Sequence, residues 1–419
     1  MNILDVYWGE NLVGAFSRAG RNEYAFKYSD QWIEKEDAKP ISLSLPKTSE
    51  TYDEVAEYFF FNFLPEGFYR ERICTALGLG SIDDFGLLSK IGAECAGAIS
   101  LIQHGQKVEE SGYYSLININ NIVETNVDIS NIILFEGDDL HFSLAGAQDK
   151  VAVKYDGVNL YRPIGTAPST HIVKPQNKIF NNTVELEFFA MKLGDMCGLN
   201  VPQVEIKYIK DQPLYIVSRY DRVILQDGTV AKIHQEDFCQ ALGVDKLNKY
   251  QKDGGPSLST CFSVLNRCAV PHAAKSEFLK MVAFNVCTGN VDFHGKNFSI
   301  LYSGEKPSLS PCYDLVPVTI YPKCKNTKMS MDIGGAFDIN SITVKNIKAL
   351  ADTVNINRRT VSDIFEDVCS NIIDKAPQCL KICKSIIKSK SALKDTGRAT
   401  FESTKRATQI AHCLGKGGA

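Results

Sequence analysis

The chain has 419 residues and a formal net charge of −3, with 44% hydrophobic and 23% charged residues. This composition supports a packed core and excludes both a chain that is disordered throughout and a uniformly basic nucleic-acid coat protein. The longest apolar runs fall far short of the roughly 20 residues that a membrane-spanning helix needs. Asp5 also stands where a signal peptide would carry basic residues. We therefore expect a cytoplasmic protein with no membrane partner.

The thirteen cysteines are scattered along the chain and form no CxxC pair. Without a secretion signal, an odd and dispersed set is typical of reduced thiols that serve as small hydrophobic residues. No histidine lies at ligand spacing from a cysteine pair, so the sequence does not favour a zinc site.

Residues 1–105 are expected to form a subdomain of their own. Val6–Gly14 alternates around a Gly-Glu-Asn turn and predicts a β-hairpin, and Ile41–Leu45 alternates like a further strand. Asp53–Leu64 and Arg70–Leu77 carry apolar residues at helical spacing. The stretch that follows, rich in Asn and Ile, indicates a connection.

Residues 106–222 are predicted to form a small lobe and residues 223–419 a larger one. Strands and loops at 142–153, 171–174, 204–209 and 214–220 surround one helix at 185–197, whereas helical segments, including 360–373 and 380–388, dominate after Asp237. This order indicates an α+β, two-lobed, protein-kinase-like fold. The last 39 residues carry nine basic and two acidic side chains, which fits either an exposed helix or a weak contact with DNA.

The densest polar cluster of the chain follows an apolar helix and precedes an apolar strand. Asp292 and Asn297 there have the Asp-x4-Asn spacing of a kinase catalytic loop, in which the Asp orients the hydroxyl and the Asn binds Mg²⁺. Asp314, seventeen residues beyond Asn297, is placed to supply a second hard oxygen ligand. Taken alone, the Asp-x4-Asn pair is more commonly a capped turn.

Three upstream segments fit nucleotide binding. Lys174 ends an apolar strand, and Glu187 in the next helix is its expected ion-pair partner, with Glu185 as the competitor. The small-residue loop 143–150 lets backbone N–H groups approach phosphates, although taken alone such a loop is more commonly a plain β-turn. Val217–Arg222 is either a strand end with solvated charges or the hinge that holds an adenine.

These pieces, in this order, resemble the HipA family of toxin kinases. The resemblance is carried by motifs spread over most of the chain, the most specific being Asp292-x-His-x-Lys-Asn297 followed by Tyr313-Asp314. The more modest ones are Ile41–Pro46, Phe63–Pro65, Ala145–Gln148, His171–Lys174, Gly198–Pro202, Arg219–Arg222, Gln235–Gln240 and Asp253–Pro256.

The resemblance implies a role for each matching residue. Asp292 would be the catalytic Asp, Asn297 and Asp314 would bind Mg²⁺, and Ser143 would be the autophosphorylation site whose modification switches the kinase off. The residues implied to contact ATP are Ala145, Gly146, Ala147, Gln148, Lys174, Ser218, Tyr220, His294 and Tyr313. Ser218 departs from the family, which has a Glu there, so only backbone contacts to adenine are expected from it.

The resemblance also implies the partners. Family members pair with a helix-turn-helix antitoxin that binds operator DNA, and their substrates include an aminoacyl-tRNA synthetase. The sequence therefore predicts an ATP- and Mg²⁺-dependent serine/threonine kinase that acts as a toxin. The alternatives are a small-molecule kinase and an inactive co-repressor that only binds the antitoxin.

Overall fold

A computed structural model of the chain describes residues 2–20, 22–80, 82–106, 112–117, 145–146 and 148–416. The chain divides into two compact units. The first comprises Met1–Pro175, Ile216–Leu247 and Leu301–Ser303, and the second comprises Gln176–Tyr215, Asn248–Ile300 and Gly304–Ala419.

The first unit begins with a five-stranded antiparallel sheet in the order β4-β3-β2-β1-β5. Its strands are β1 (Asn2–Trp8), β2 (Asn11–Arg18), β3 (Tyr24–Tyr28), β4 (Thr51–Tyr52) and β5 (Ile99–Gln103). The helices of this part are α1 (Asp30–Glu34), α2 (Glu54–Phe61), α3 (Gly67–Ala76) and α4 (Asp84–Ile91). The predicted hairpin is present, since Trp8 pairs with Asn11 across its turn. Phe16 and Phe26 of the sheet pack on Phe60 of α2 at ring-centre distances of 4.4 and 5.4 Å.

The prediction of a strand over Ile41–Leu45 was wrong. The segment contains only an isolated bridge between Ser42 and Leu45. Its polar groups bind a side chain instead of a neighbouring strand, because the Ser42 hydroxyl and the Leu43 N–H both donate to the carboxylate of Glu236. The alternating pattern thus marks a loop whose apolar residues, Ile41 and Leu45, are buried.

The rest of the first unit is also rich in strands. The strands β6 (Tyr113–Leu116), β7 (Val151–Tyr155), β8 (Leu160–Ile164) and β9 (His171–Pro175) pair antiparallel in the order β6-β8-β7-β9. A hairpin of β12 (Arg222–Ile224) and β13 (Val230–Lys232), a short β14 (Gln235–Asp237) and α6 (Phe238–Leu242) complete the unit.

The second unit is mainly helical. Its helices are α5 (Thr183–Met196), α7 (Leu258–Leu265), α8 (Pro271–Thr288), α9 (Val344–Thr353), α10 (Arg358–Ile386) and α11 (Lys390–Lys416). Its strands are β10 (Val204–Ile209), the first part of β11 (Gln212–Ser218), β15 (Ser299–Leu301) up to Ile300, and β16 (Ser308–Leu309). None of the helices described is long and apolar enough to cross a membrane.

Helix α10 corrects the prediction of two separate helices around Pro377. A proline inside a helix removes one hydrogen bond and costs about 3 kcal/mol. Helix α10 is nevertheless continuous over its 29 residues and includes Pro377. Phe365 and Cys369 before the proline, and Cys379 and Cys383 after it, are all fully buried. This uninterrupted apolar face packs against α5, α8 and α11, and its burial outweighs the defect at Pro377.

All thirteen cysteines are free thiols, and ten of them are buried. Burial raises the pKa of thiols such as Cys95 and Cys312 to about 12. These side chains therefore act as small core residues.

Candidate functional site

The polar loop identified in the sequence begins where α8 ends. Gly289 has a φ of 80°, in the left-handed region, and its N–H bonds back to the carbonyl of Asn285. A Cβ at this position would lie 2.1 Å from Oγ1 of Thr319, so the sharp exit from the helix requires glycine. The loop then passes through a single 3-10 turn, Gly295–Asn297, into β15.

Within this loop Asp292 and Asn297 are brought together. The side-chain amide of Asn297 donates to the backbone carbonyl of Asp292 at 2.8 Å, and the His294 N–H donates to the same carbonyl at 3.0 Å. The Asp292 carboxylate is exposed, and its Oδ1 accepts a 3.1 Å hydrogen bond from the Tyr250 hydroxyl. The loop is therefore fixed by its backbone, while the carboxylate of Asp292 is presented to solvent in a defined direction.

His294 and Tyr313 belong to the packing around this loop. His294 is buried, and its ring lies edge-on to that of Tyr250 at 5.2 Å between ring centres. The Tyr313 hydroxyl donates to the backbone carbonyl of Lys296 at 2.9 Å and lies 2.7 Å from the Ser299 hydroxyl. Tyr313 thus ties the segment that carries Asp314 to the loop that carries Asn297.

Asp314 occupies an unusual backbone conformation. Its φ is 59°, in the left-handed region that non-glycine residues rarely adopt, although Asp tolerates it better than most. Asn290 holds this turn: its side-chain amide donates to Oδ1 of Asn285 at 2.7 Å and to the carbonyl of Asp314 at 3.3 Å. Strained backbone that the surroundings hold in place is a common feature of functional sites.

Asn297 and Asp314 have the chemistry that Mg²⁺ prefers. The amide nitrogen of Asn297 is used by the Asp292 carbonyl, which directs its oxygen away from that carbonyl, and Asp314 supplies a carboxylate. Mg²⁺ typically takes one or two such oxygen ligands and completes its shell with water and phosphate oxygens. In the described part of the chain no group of three or more His, Cys, Asp or Glu side chains forms a metal site.

The carboxylates of Glu187 and Glu185 have different hydrogen-bond partners within the second unit. Burial, followed by the charges of Glu187 and Asp314, raises the pKa of Tyr215 well above its usual value, and the Tyr215 hydroxyl is hydrogen-bonded to Glu187. Burial raises the pKa of Glu185, whose carboxylate bonds to Gln176 instead. Of the two glutamates, Glu187 is therefore the one on the side of Asp314.

The first unit holds the other predicted nucleotide contacts. Lys174 is a buried residue of β9. Ser218, at the end of β11, and Tyr220 are half-buried, whereas Arg219 and Asp221 between and after them are buried. The alternative of a strand end with solvated charges is excluded for this segment, because its charged groups lie in the core.

The small-residue loop is attached to the N-terminal part of the first unit. The Gly146 carbonyl accepts a 3.0 Å bond from the Glu66 N–H, Arg72 pairs with Asp149, and the Tyr69 hydroxyl donates to the Lys150 carbonyl at 2.5 Å. Ala145 and Gln148 in this loop are half-buried, and Gly146 has a φ of 105°, open only to glycine. Ser143 and Ala147 lie outside the described residues.

Sequence reasoning missed Tyr250 and Asn290. Asn290 stood inside the conspicuous Gly289–Asn297 cluster and could have been found there. Tyr250 lies 42 residues before Asp292, and no local pattern connects the two.

Comparisons with known proteins identify the family of the chain. The HipA N-terminal domain model matches residues 4–102, and the HipA-like C-terminal domain model matches residues 142–376. A putative kinase of Sinorhizobium fredii, Y4mE, is 38% identical over 80% of this chain and 81% of its own length. The serine/threonine-protein kinase toxin HipA of Shewanella oneidensis is 30% identical over 85% of this chain and 84% of its own.

A solved structure extends the similarity to the fold. The structure of HipA from Shewanella oneidensis MR-1, in complex with HipB and operator DNA, superposes with a TM-score of 0.85 at 25% identity and covers 99% of this chain and 98% of its own. The fold is therefore the two-lobed, kinase-like α+β fold expected from the sequence. With a C-terminal family model over more than half of the chain and a relative that is 30% identical over 85% of it, the chain belongs to the HipA family of toxin–antitoxin kinases.

Proposed function

We propose that the chain is an ATP- and Mg²⁺-dependent protein serine/threonine kinase that acts as the toxin of a toxin–antitoxin pair. The observation that carries this proposal is the loop in which Asn297 is bonded to the backbone of Asp292, while the Asp292 carboxylate remains exposed and is oriented by Tyr250. An exposed carboxylate held in this way suits the acceptance of a proton from a substrate that approaches from solvent.

In the proposed reaction Asp292 accepts the proton of a serine or threonine hydroxyl. The hydroxyl oxygen forms a bond to the γ-phosphorus of ATP, the bond from that phosphorus to the bridging oxygen breaks, and ADP leaves with the electron pair. Asn297 and Asp314 would hold Mg²⁺, which neutralises the charge of the phosphates when bound. The exposed carboxylate of Asp292 favours a protein chain as the substrate class, and an aminoacyl-tRNA synthetase is the candidate drawn from the family.

The nucleotide contacts proposed for the first unit rest on side-chain type and on the family motifs that these residues match. Lys174 would contact the ATP phosphates and pair with Glu187, and the backbone of Ala145–Gln148 would approach the phosphates. Ser218 and Tyr220 would hold the adenine, with His294 and Tyr313 of the second unit beside the nucleotide.

Regulation and partners follow the same proposal. Phosphorylation of Ser143 would add a charge of about −2 to the phosphate-binding loop and repel it from the nucleotide. A helix-turn-helix antitoxin, and operator DNA reached through it, are the proposed partners, since the similar Shewanella protein was solved with both HipB and operator DNA.

The test is intact-mass spectrometry of the full chain after incubation with ATP and Mg²⁺, followed by peptide mapping. We expect one added phosphate on the peptide that contains Ser143. Asp292→Asn should abolish this transfer and leave ATP affinity largely unchanged, because the proton acceptor is lost and the phosphate contacts remain. Asp363→Asn, which alters an exposed carboxylate on α10, is the matched control and should retain full transfer.

Each other outcome has a defined meaning. Transfer at the wild-type rate in Asp292→Asn would show that Asp292 is not the proton acceptor. No added mass, combined with tight ATP binding, would favour a kinase for another molecule. No ATP binding at all would favour a co-repressor that binds the antitoxin without catalysis. A phosphate on another residue, abolished when that residue is substituted and retained in Ser143→Ala, would remove the Ser143 assignment.

A further inference from the structure

Five charged side chains form a buried cluster in the first unit, next to Ser218 and Tyr220. Four of the five have side chains no more than 6% exposed, and the fifth, a lysine at the edge, is 18% exposed. The cluster consists of Glu94, Arg219, Asp221, Arg222 and Lys232.

Arg219 and Asp221, on either side of Tyr220 in the sequence, form an ion pair. The Nε and Nη2 groups of Arg219 donate to the two carboxylate oxygens of Asp221 at 2.9 and 2.7 Å, a two-pronged pairing. Arg219 also donates through Nη1 to the Ser169 hydroxyl at 2.9 Å and through its backbone N–H to the Thr170 carbonyl at 2.9 Å. Arg219 is therefore anchored to the residues that lead into β9, and its side chain in turn holds Asp221 on the other side of Tyr220.

Glu94 and Asp221 connect this anchor to the loop before β5. Oε1 of Glu94 accepts from Arg222 at 2.8 Å, and its other oxygen pairs with Lys232. Oδ2 of Asp221 accepts a 2.7 Å hydrogen bond from the backbone N–H of Gly97, in the same loop as Glu94. Burial alone would raise the pKa of Glu94, but the cations Lys232, Arg222 and Arg219 together hold it well below its usual value, so the carboxylate stays ionised.

Burial alternates along residues 217–221. Val217, Arg219 and Asp221 are buried, whereas Ser218 and Tyr220, the residues proposed to hold the adenine, are half-buried. A base that is recognised by backbone groups requires that backbone to be fixed to within a fraction of an ångström.

We propose that Glu94 and Asp221 are positioning residues for nucleotide recognition, which fix the backbone of residues 218–220 so that it selects adenine. The inference rests on the proposed function, since it requires that ATP binds at this segment. It assigns to the N-terminal part of the chain, through Glu94, a role in choosing the base of the nucleotide.

A purely structural cluster would give a different result from a positioning cluster. Removing one partner of a buried ion pair destabilises the fold in either case, so stability alone does not separate them. The preference for adenine over guanine does separate the two roles, because only a displaced backbone at 218–220 changes the ratio of the affinity for ATP to the affinity for GTP.

The test measures the affinity of the full chain, with Mg²⁺, for the non-hydrolysable analogues of ATP and GTP by calorimetry. In Glu94→Gln and Asp221→Asn we expect the affinity for the ATP analogue to fall about tenfold, the GTP analogue to change little, and the preference for adenine to fall accordingly. Asp84→Asn is the matched control. Asp84 pairs with Arg70 at 2.8 Å and Lys246 at 2.5 Å in the same unit, and its loss should lower the melting temperature without altering the preference.

Lys232→Gln, at the partly exposed edge of the cluster, is a milder variant that keeps the test decisive if Glu94→Gln or Asp221→Asn does not fold. It should reduce the preference for adenine in the same direction by a smaller factor. An unchanged preference in the folded variants, or an equal change in Asp84→Asn, would overturn the positioning role while leaving the kinase proposal intact. A wild-type chain that does not bind the ATP analogue would overturn the proposed function and this inference together.

Discussion

Glu236 is expected to make the stability of the first unit fall as the pH rises. Its side chain lies in the core, where it accepts hydrogen bonds from the Ser42 hydroxyl, the Leu43 N–H and the Tyr302 hydroxyl. Burial raises the pKa of Glu236 to about 7 from an ordinary value of 4.5, even though these three donors favour the ionised form.

The sign and size of the effect follow from proton binding. Between pH 4.5 and 7 the folded chain keeps the Glu236 proton and the unfolded chain releases it, so raising the pH favours unfolding. One pKa unit corresponds to about 1.4 kcal/mol, so the whole shift of Glu236 corresponds to about 3 kcal/mol of unfolding free energy. The contribution is present below pH 4.5 and is lost as the pH rises through 7.

His234 acts in the opposite direction and partly hides this effect in the wild type. Burial lowers the pKa of His234 to about 4 from 6.5, so this group favours the folded state as the pH rises through that interval. The Glu236→Gln variant removes one of the two opposing contributions. The difference in stability between wild type and variant should then change by about 3 kcal/mol between pH 4.5 and 7, in favour of the variant at the higher pH.

Urea unfolding followed by tryptophan fluorescence measures this difference selectively. The two tryptophans of the chain, Trp8 and Trp32, both lie in the first unit, and the Trp8 ring is 4.5 Å from that of His234. The signal therefore reports unfolding around Glu236. A difference between wild type and Glu236→Gln that stays constant from pH 4.5 to 8 would refute the reasoning.

Three further predictions concern single side chains. Asn297→Ala should raise the Mg²⁺ concentration for half-maximal phosphate transfer roughly tenfold or more. The control Asn340→Ala, at an exposed position, should leave this concentration unchanged. Both are measured by titrating Mg²⁺ and following the rate of transfer. Tyr250→Phe removes the 3.1 Å bond to Asp292 and should slow transfer several-fold, since such a bond contributes about 1 kcal/mol; an unchanged rate constant would mean that Tyr250 does not orient Asp292. Cys413 is exposed, so Ellman's reagent should modify it first in the native chain, and Cys413→Ser should remove that fast phase.

The parts that sequence reasoning predicted correctly depend on local patterns. The hairpin at β1 and β2, helix α5 and the loop between α8 and β15 each combine a periodic apolar run with a recognisable end, such as Gly289. The Asp-x4-Asn spacing is likewise a local feature, and the bond from the Asn297 side chain to the Asp292 carbonyl closes the short loop between the two residues.

The parts that sequence reasoning missed depend on distant partners. The strand predicted at Ile41–Leu45 is a loop because Glu236, nearly 200 residues later, takes the hydrogen bonds that a neighbouring strand would have used. Arg219 and Arg222 looked equally suited to solvent, because their acceptor Glu94 lies more than 120 residues earlier. Neither the hydrophobic periodicity nor the residue propensities of a short stretch of sequence can identify bonding partners so far away.

Three of the motifs outside the Asp292–Asn297 loop share a physical role, namely Ile41–Pro46, Arg219–Arg222 and Gln235–Gln240. Ser42 and Ser44 of the Ile41–Pro46 motif bind Glu236 and the backbone carbonyl of Gln240, and the side chain of Gln240 donates to the carbonyl of Phe59 in α2 at 2.9 Å. Together with the pairing of Glu94 and Arg222, these contacts join the first hundred residues to β14, α6 and the segment after β11 within one compact unit. Every contact in this set uses a buried polar group, and such a group is costly to leave without its partner. The N-terminal residues therefore cannot be separated from this part of the chain without leaving buried groups such as Glu236, Glu94 and Arg222 without their partners.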